Sequence, residues 1–202
     1  YLSCIAMKVE SSYGHLKSVV SKLSQLSTAE WNDFESRWEE VVISKNEFII
    51  KAGQVERYFY FVHDGILRAF VLNEGTDISV GFSYNGDFSG AYDSFLEQTV
   101  TDWNIHALSD TTVLRINYPD MMVMYDLYKS VERWGRIFNA NILVGIGRRQ
   151  VEVRNYSAED RFDRLFKQSP HIFQLVSQKH LASYLGMTPE TLSRLRRLKM
   201  NH

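Results

Sequence analysis

Gln178, Lys179, Thr188, Pro189, Glu190, Thr191, Ser193, Arg194, Arg197 and Lys199 crowd into the last part of a 202-residue chain, as small, charged and hydrogen-bonding side chains suited to a polyanion. Residues 189, 190, 193, 194 and 197 recur at the three- and four-residue spacing that puts side chains on one helix face. Arg194 and Glu190 carry the groups that read base edges, with Ser193 in support. Thr191, Arg197 and Lys199 suit phosphates, and Gln178 or Lys179 could anchor a preceding helix to the nucleic-acid backbone. Pro189 offers no side-chain hydrogen bond.

Such a face works only if two short helices hold it. Leu181, Ala182 and Leu185 share one side of a first helix, and Gly186 stands where a helix exits through a left-handed residue. Thr188 and Pro189 then form an N-cap and first helical position, and Leu192, Leu195 and Leu198 are expected to pack the second helix down. The pattern is a helix-turn-helix; the competing reading is a helical hairpin whose arginines are merely solvated. Charge favours the former. From Arg154 onward nine Lys and Arg face four Asp and Glu, a local net of +5, whereas the preceding 153 residues carry −6, so the formal net of −1 hides an electropositive tail.

The rest of the chain, 45% hydrophobic and 13% aromatic, is long enough to bury a core. It has no apolar run near the roughly 20 residues of a membrane span, and residues 1–10 are too short in apolar length for a secretory signal, so a cytoplasmic protein with no membrane partner is expected. A single cysteine, Cys4, rules out an intrachain disulfide framework and reads as an inert thiol. Helical spacing over 15–26 and an amphipathic stripe of Trp31, Phe34 and Trp38 after a Thr28 N-cap predict two helices. Short β-rich runs follow at 47–50, 58–62, 66–72, 78–84, 103–108 and 113–116, separated by Gly-containing turns, which argues for an antiparallel roll. After Pro119 one uninterrupted helix is expected over 120–155, about 54 Å long at 1.5 Å per residue. Its seam of Leu127, Val131, Trp134, Phe138, Ile142 and Ile146 suits pairing with a second copy, against the alternative of a helix buried on the roll. Ser157 should cap a helix over 161–168, and 171–177 has room for a minimal strand. The fold class is therefore α+β: an antiparallel, jelly-roll-like β-roll with N-terminal helices (1–118), a long dimerisation helix (119–155) and a C-terminal helix-turn-helix domain (156–202).

In this order Lys51-Ala-Gly53, the hairpin Tyr60-Phe-Val-His-Asp-Gly-Ile-Leu-Arg68, Gly86-Asp-Phe-Ser-Gly90 and the block at 178–197 resemble the Crp/Fnr superfamily of bacterial transcription regulators over nearly the full length. The resemblance implies a cyclic-nucleotide-binding-type β-roll, a dimerising central helix and a second helix that enters the major groove. It further implies a homodimer on a pseudo-palindromic double-stranded DNA site, with half-sites roughly 34–36 Å apart, and RNA polymerase as a candidate further partner. Where nucleotide-binding members carry a ribose-binding glutamate and a phosphate-binding arginine, this chain has Ala91 and Thr101. A cyclic phosphate would enter without a charge partner, at a cost of several kcal/mol, which argues against ordinary cAMP binding. An ungapped alignment places Ile146 and Gly147 where polar residues would hold the adenine. Arg68, Phe88, Gly90, Ala91, Tyr92, Thr101 and Trp103 are the candidate pocket residues; Tyr92, Phe95 and Trp103 could equally plug it, and the 86–95 loop could offer backbone N–H groups to an anion. Arg68 and Arg115 are the nearest cations, though strand arginines are more often surface residues. No cofactor is implied and the effector is open. His63 and His106 stand without partner spacing, which disfavours a metal site or a cupin-like metal-binding protein, and no acid, base and nucleophile set suggests an enzyme. A non-DNA signalling adaptor is the remaining alternative, opposed by the basic tail.

Overall fold

The computed structural model describes residues 11–200; Cys4 and the first ten positions lie outside the described residues. Ser11 caps α1 (Ser12–Ser21) by accepting the Gly14 N–H, and Ser27 caps α2 (Thr28–Ser36) in a reciprocal capping box with Glu30. The cap is Ser27 and not Thr28 because Glu30 lies three residues beyond Ser27, where its carboxylate accepts the Ser27 N–H at 2.6 Å. The strands follow as β1 (Glu39–Ile43), β2 (Phe48–Ile50), β3 (Tyr58–Asp64), β4 (Ile66–Asn73), β5 (Thr76–Tyr84) and β6 (Phe88–Ser89). After a short α3 (Tyr92–Glu97) come β7 (Asn104–Ala107) and β8 (Thr111–Asn117). They form two antiparallel four-stranded sheets, ordered β1-β8-β3-β6 and β2-β7-β4-β5.

Strand alternation sends each sheet's side chains to two destinations. Tyr60, Val62 and Val113 of the first sheet and Leu67, Ile105 and Ala107 of the second fill the lumen of the roll with Ile43, Ile50 and Ala91. The opposite face of the first sheet, Phe59, Phe61, Leu114 and Ile116, packs on Leu16, Val20, Trp31, Phe34 and Trp38 of the N-terminal segment. The opposite face of the second sheet receives the C-terminal helices.

The expected single long helix is two. α4 (Tyr118–Leu127), with Pro119 in its first turn and Asn117 as cap, stops at Tyr128, whose φ of −127° and ψ of 110° are extended. α5 (Lys129–Asn155) then restarts, 27 residues or about 40 Å long. Two contacts explain the break. A Cβ on Gly135 would lie 2.6 Å from the Tyr125 ring, so glycine lets the end of α4 fold tightly onto α5. The Tyr128 hydroxyl meanwhile donates to Asp33 at 3.0 Å, pinning the elbow to α2.

The chain ends with α6 (Ala158–Gln168), capped by a Ser157–Asp160 box, then α7 (Ile172–Leu175), α8 (Gln178–Leu185) and α9 (Pro189–Met200). The strand anticipated at 171–177 is instead the single turn α7, whose Ile172 and Phe173 are buried with Phe162. Leu181, Ala182, Leu185, Leu192 and Leu195 complete this core, and Ile66 joins it from the roll. Among the described residues no helix is long and apolar enough to cross a membrane.

Candidate nucleic-acid interface and effector pocket

The turn between α8 and α9 is built as its residues dictate. Ser177 accepts the His180 N–H to start α8, and Gly186 ends it at φ 64°, a left-handed cap that glycine adopts without Cβ strain. Thr188 Oγ1 accepts the Thr191 N–H at 3.3 Å and starts α9 at Pro189. Leu192 and Leu195 are buried, which turns the opposite side outward: Gln178, Lys179, Thr188, Pro189, Glu190, Ser193, Arg194, Arg197 and Lys199 are exposed and Thr191 is half-buried. Gln178, Pro189, Glu190, Ser193, Arg194 and Arg197 line a shared surface concavity of about 430 Å3. The Glu190 carboxyl is held below its ordinary range by its own backbone N–H and the Thr188 hydroxyl, so it is an acceptor.

One expectation about this region needs correction, and two of its cations have partners that the sequence does not show. Leu198 is 53% exposed, because α9 has outrun the core that covers Leu192 and Leu195. Lys199 is paired with Asp163 of α6 at 2.8 Å. Arg161, counted in the basic tail, is structural: its guanidinium donates to the carbonyls of Tyr156 (2.6 Å), Leu185 (2.8 Å) and Gly186 (3.3 Å), which ties α6 to the end of α8.

The pocket candidates part company. Phe88 stacks on Phe59 at 5.1 Å outside the lumen, and Tyr92 packs beside Phe95 with its hydroxyl on Asn139 of α5. Gly90 lies at φ 134°, and Ala91, fully buried, starts α3. Thr101 is 2% exposed, with Oγ1 accepting the Trp103 N–H at 3.0 Å, while Trp103 itself packs into the lumen core. The 86–95 loop offers no free anion cradle at α3, because a carboxylate of the chain is already there: Glu56, 2% exposed, accepts the N–H groups of Tyr58 (3.1 Å) and Ala91 (3.4 Å). Burial pushes the Glu56 carboxyl up to about 7, partly offset by those backbone donors. Nothing in the sequence marks Glu56, a lone acid between Val55 and Arg57, as buried.

Arg68 is no pocket cation. Its position on β4 points it away from the lumen toward α8, 1% exposed, stacked 4.4 Å from the Phe70 ring and donating to Ser79 (2.8 Å) and Asp77 (3.0 Å). Arg115 does reach the mouth of the roll, over the Tyr58 ring at 4.2 Å and paired with Glu39 at 2.5 Å, beside a cavity of about 440 Å3 that Glu56 and Tyr60 also line.

The expected dimer seam is also divided. Val131 and Trp134 are fully buried and Phe138 packs on Phe59 and Phe88, so these three serve the chain's own core. Leu127 lies on α4, 58% exposed, and Ile146, 55% exposed, and half-buried Ile142 lie farther along α5. Leu143 (71%) and Val153 (54%) share that outer stretch, which the heptad reading omitted. Ile146 and Gly147 face solvent, and the α5 residues that touch the 86–95 loop and α3, the cassette of the roll, are Trp134, Phe138 and Asn139. The two histidines lacking sequence partners both have spatial ones: His63 meets His15 of α1 (Nδ1 to Nδ1, 3.2 Å), and His106 faces His180 of α8 at 6.4 Å between ring centres. Among the described residues no group of three or more His, Cys, Asp or Glu could hold a metal ion.

Residues 40–128 match the cyclic nucleotide-binding domain model. The chain is similar in structure to FixK2 from Bradyrhizobium japonicum (TM-score 0.71, 20% identity, 81% of this chain and 85% of that one). It also resembles a transcriptional regulator of the Crp/Fnr family from Eubacterium rectale (TM-score 0.66, 16% identity, 86% and 83%) and the catabolite activator protein of Thermus thermophilus (TM-score 0.55, 21% identity, 87% and 84%). No curated protein is significantly similar to it in sequence.

Proposed function

We propose that this Crp/Fnr-like chain, with a cyclic nucleotide-binding domain at 40–128 and a helix-turn-helix after it, is a DNA-binding transcription regulator that acts as a homodimer and is not controlled by cAMP. The observation that carries the reading is the outward face of α9. Buried leucines fix its rotation, so that Glu190, Ser193, Arg194 and Arg197 present one polar concavity to a groove-sized partner. Glu190 and Arg194 then contact base edges, and Arg197, Thr191 and the start of α8 contact phosphates. Leu143, Ile146 and Val153 supply the homodimer contact, since an apolar strip of this kind on a lone helix marks an interaction surface. RNA polymerase remains a further partner by the same resemblance.

The cAMP part rests on Glu56. Its carboxyl already takes the Ala91 N–H, and neither Ala91 nor Thr101 supplies a cation, so a phosphodiester would be buried with no charge partner at an occupied donor. Site selection from genomic DNA with the purified protein is expected to return a two-fold-symmetric sequence. Isothermal titration with cAMP is expected to give no heat at micromolar concentration. Recovery of unselected DNA alone would overturn the regulator reading, and micromolar cAMP binding would overturn the pocket argument.

A further inference from the structure

The second sheet of the roll and α8 meet across a polar seam beside the apolar contact that Ile66 and Phe82 make with the helical core. Ser79 of β5 donates its N–H to Ser183 Oγ of α8 at 2.9 Å, and Ser183 Oγ donates back to the Asp77 carbonyl at 3.3 Å. Asp77 and Ser79 are the groups that hold the buried Arg68 guanidinium. Phe82 against Tyr184 (5.5 Å) and Arg149 of α5, which donates to the Tyr184 carbonyl at 2.5 Å, extend the same contact. Two histidines complete it. His106 of β7 is opposite Arg68 in the sheet and His180 lies on α8; their rings meet edge to face, and His106 Nε2 and His180 Nδ1 are both covered from solvent with no hydrogen-bond partner among the described residues.

We propose that this seam is an acid-sensitive latch: with His106 and His180 neutral it holds the helix-turn-helix against the roll, and protonation of the pair releases α6–α9 from the sheet as a unit. The charge arithmetic is local. Arg68 from β4 and Lys179 from α8 are cations, Asp77 from β5 is the carboxylate that acts on both histidines among the described residues, and Arg68 already occupies it. From β2 the Phe48 ring lies 5.4 Å from the His106 ring and carries Lys51 Nζ 4.9 Å from its own centre. A new imidazolium therefore has no acceptor for its buried N–H and a guanidinium beside it. Burial first and Arg68 second hold both imidazoles below their ordinary value, with Asp77 opposing. A depressed folded value means that the latch energy is fully present above the free-histidine range, near 6.5, and is lost as pH falls through the lower folded values.

Hydrogen exchange of the full-length protein at pH 7.5 and 5.5, corrected for intrinsic rates, reads docking directly and does not depend on the DNA-binding reading. Peptides covering 76–84 and 178–185 are expected to lose protection by roughly tenfold or more at pH 5.5, up to a factor of ten per proton per pH unit, while peptides from β3 and β8 keep theirs. The H106F/H180Q double variant should stay protected at both pH values, and H180Q alone should retain a smaller drop; H180Q decides the matter if the double variant fails to fold. Ser183→Ala should expose the same peptides at both pH values. Unchanged protection in the wild type, an equal drop in H180Q, or simultaneous loss from β3 and β8 would overturn the latch.

Discussion

Two stretches of this chain use the same local device to opposite ends. At Gly90 (φ 134°) and again at Gly186 (φ 64°) a glycine in the left-handed half of conformational space leads into a new helix, α3 in one case and α9 in the other. Around α3 the groups that face the roll find partners within the chain: the Ala91 N–H on Glu56, Thr101 on Trp103, the Tyr92 hydroxyl on Asn139. Around α9 the polar atoms turn outward, and Arg194 and Arg197 form no ion pair among the described residues. A satisfied cassette has little left to offer a ligand, whereas an unsatisfied helix face is poised for one. The difference teaches that the exposed α9 face is the part of the molecule left open to a partner, whereas the groups of the roll that face inward are taken up by the chain itself.

The comparison breaks most visibly at α5, where one helix serves both purposes. Trp134 lies in the core with Phe34, Phe88 and Phe138, and Trp134→Ala should cost about 3–5 kcal/mol in urea denaturation. Leu143→Asp, on the exposed stretch, should leave the monomer's fold intact and abolish the dimer in sedimentation velocity. Equal effects of the two changes on both readouts would remove the division of the helix.

Glu56 offers a sharper cut, since it is the internal group that fills the cassette. Its folded value of about 7 lies above the ordinary carboxylate value of 4.5, so the roll gains from protonation. Stability from this group is full below pH 4.5 and is lost as pH rises through 7, roughly 3 kcal/mol in all. Glu56→Gln should remove that slope, making the variant progressively more stable relative to wild type between pH 5 and 8 in denaturant titrations. The sign is opposite to that of the histidine latch, so the two can be separated in one protein by probe position. A parallel pH profile for wild type and variant would show Glu56 to be solvated.

What the sequence made legible follows local physics. Gly186, Thr188, Pro189, Leu192 and Leu195 act within one or two turns, so the two helices and their turn were readable, Leu198 excepted, and the β runs between Gly turns located six of the eight strands. β1 was not legible: Glu-Glu-Val-Val-Ile carries no alternation, and only pairing with β8 makes it a strand. Nor was the break at Tyr128, which depends on Tyr125 meeting Gly135 and Tyr128 meeting Asp33, a residue 95 positions away. Arg68 reads as a pocket cation until the sheet's pleat assigns it to the outer face, and Glu56 reads as nothing until the cassette closes over it. Long-range partners decided each of these, and periodicity does not encode partners.

Within the output face, Arg194 and Arg161 separate reading from building. Arg194→Ala is expected to leave stability within about 0.5 kcal/mol and to lower discrimination between the selected site and random DNA by about 1–3 kcal/mol. Arg161→Ala should instead cost about 1–3 kcal/mol of stability, because three carbonyls lose their donor. Site preference that survives Arg194→Ala would displace it from the base-reading role.

Lys199 gives the smallest effect and the finest test. It is tied to Asp163 at 2.8 Å with both side chains more than a third exposed, and such a pair contributes at most about 1 kcal/mol. To meet a phosphate it must first leave that carboxylate, whereas Arg197 has no ion-pair partner among the described residues to leave. Arg197→Ala should therefore lower the slope of log affinity against log salt by about 1, and Lys199→Ala by clearly less. Asp163→Asn should release the lysine and steepen the slope, which fluorescence anisotropy across a salt series would register. A Lys199→Ala slope change as large as that of Arg197→Ala would mean that the Asp163 pair opens freely on DNA, and that the outward face of α9 extends one turn farther than its ion pairs indicate.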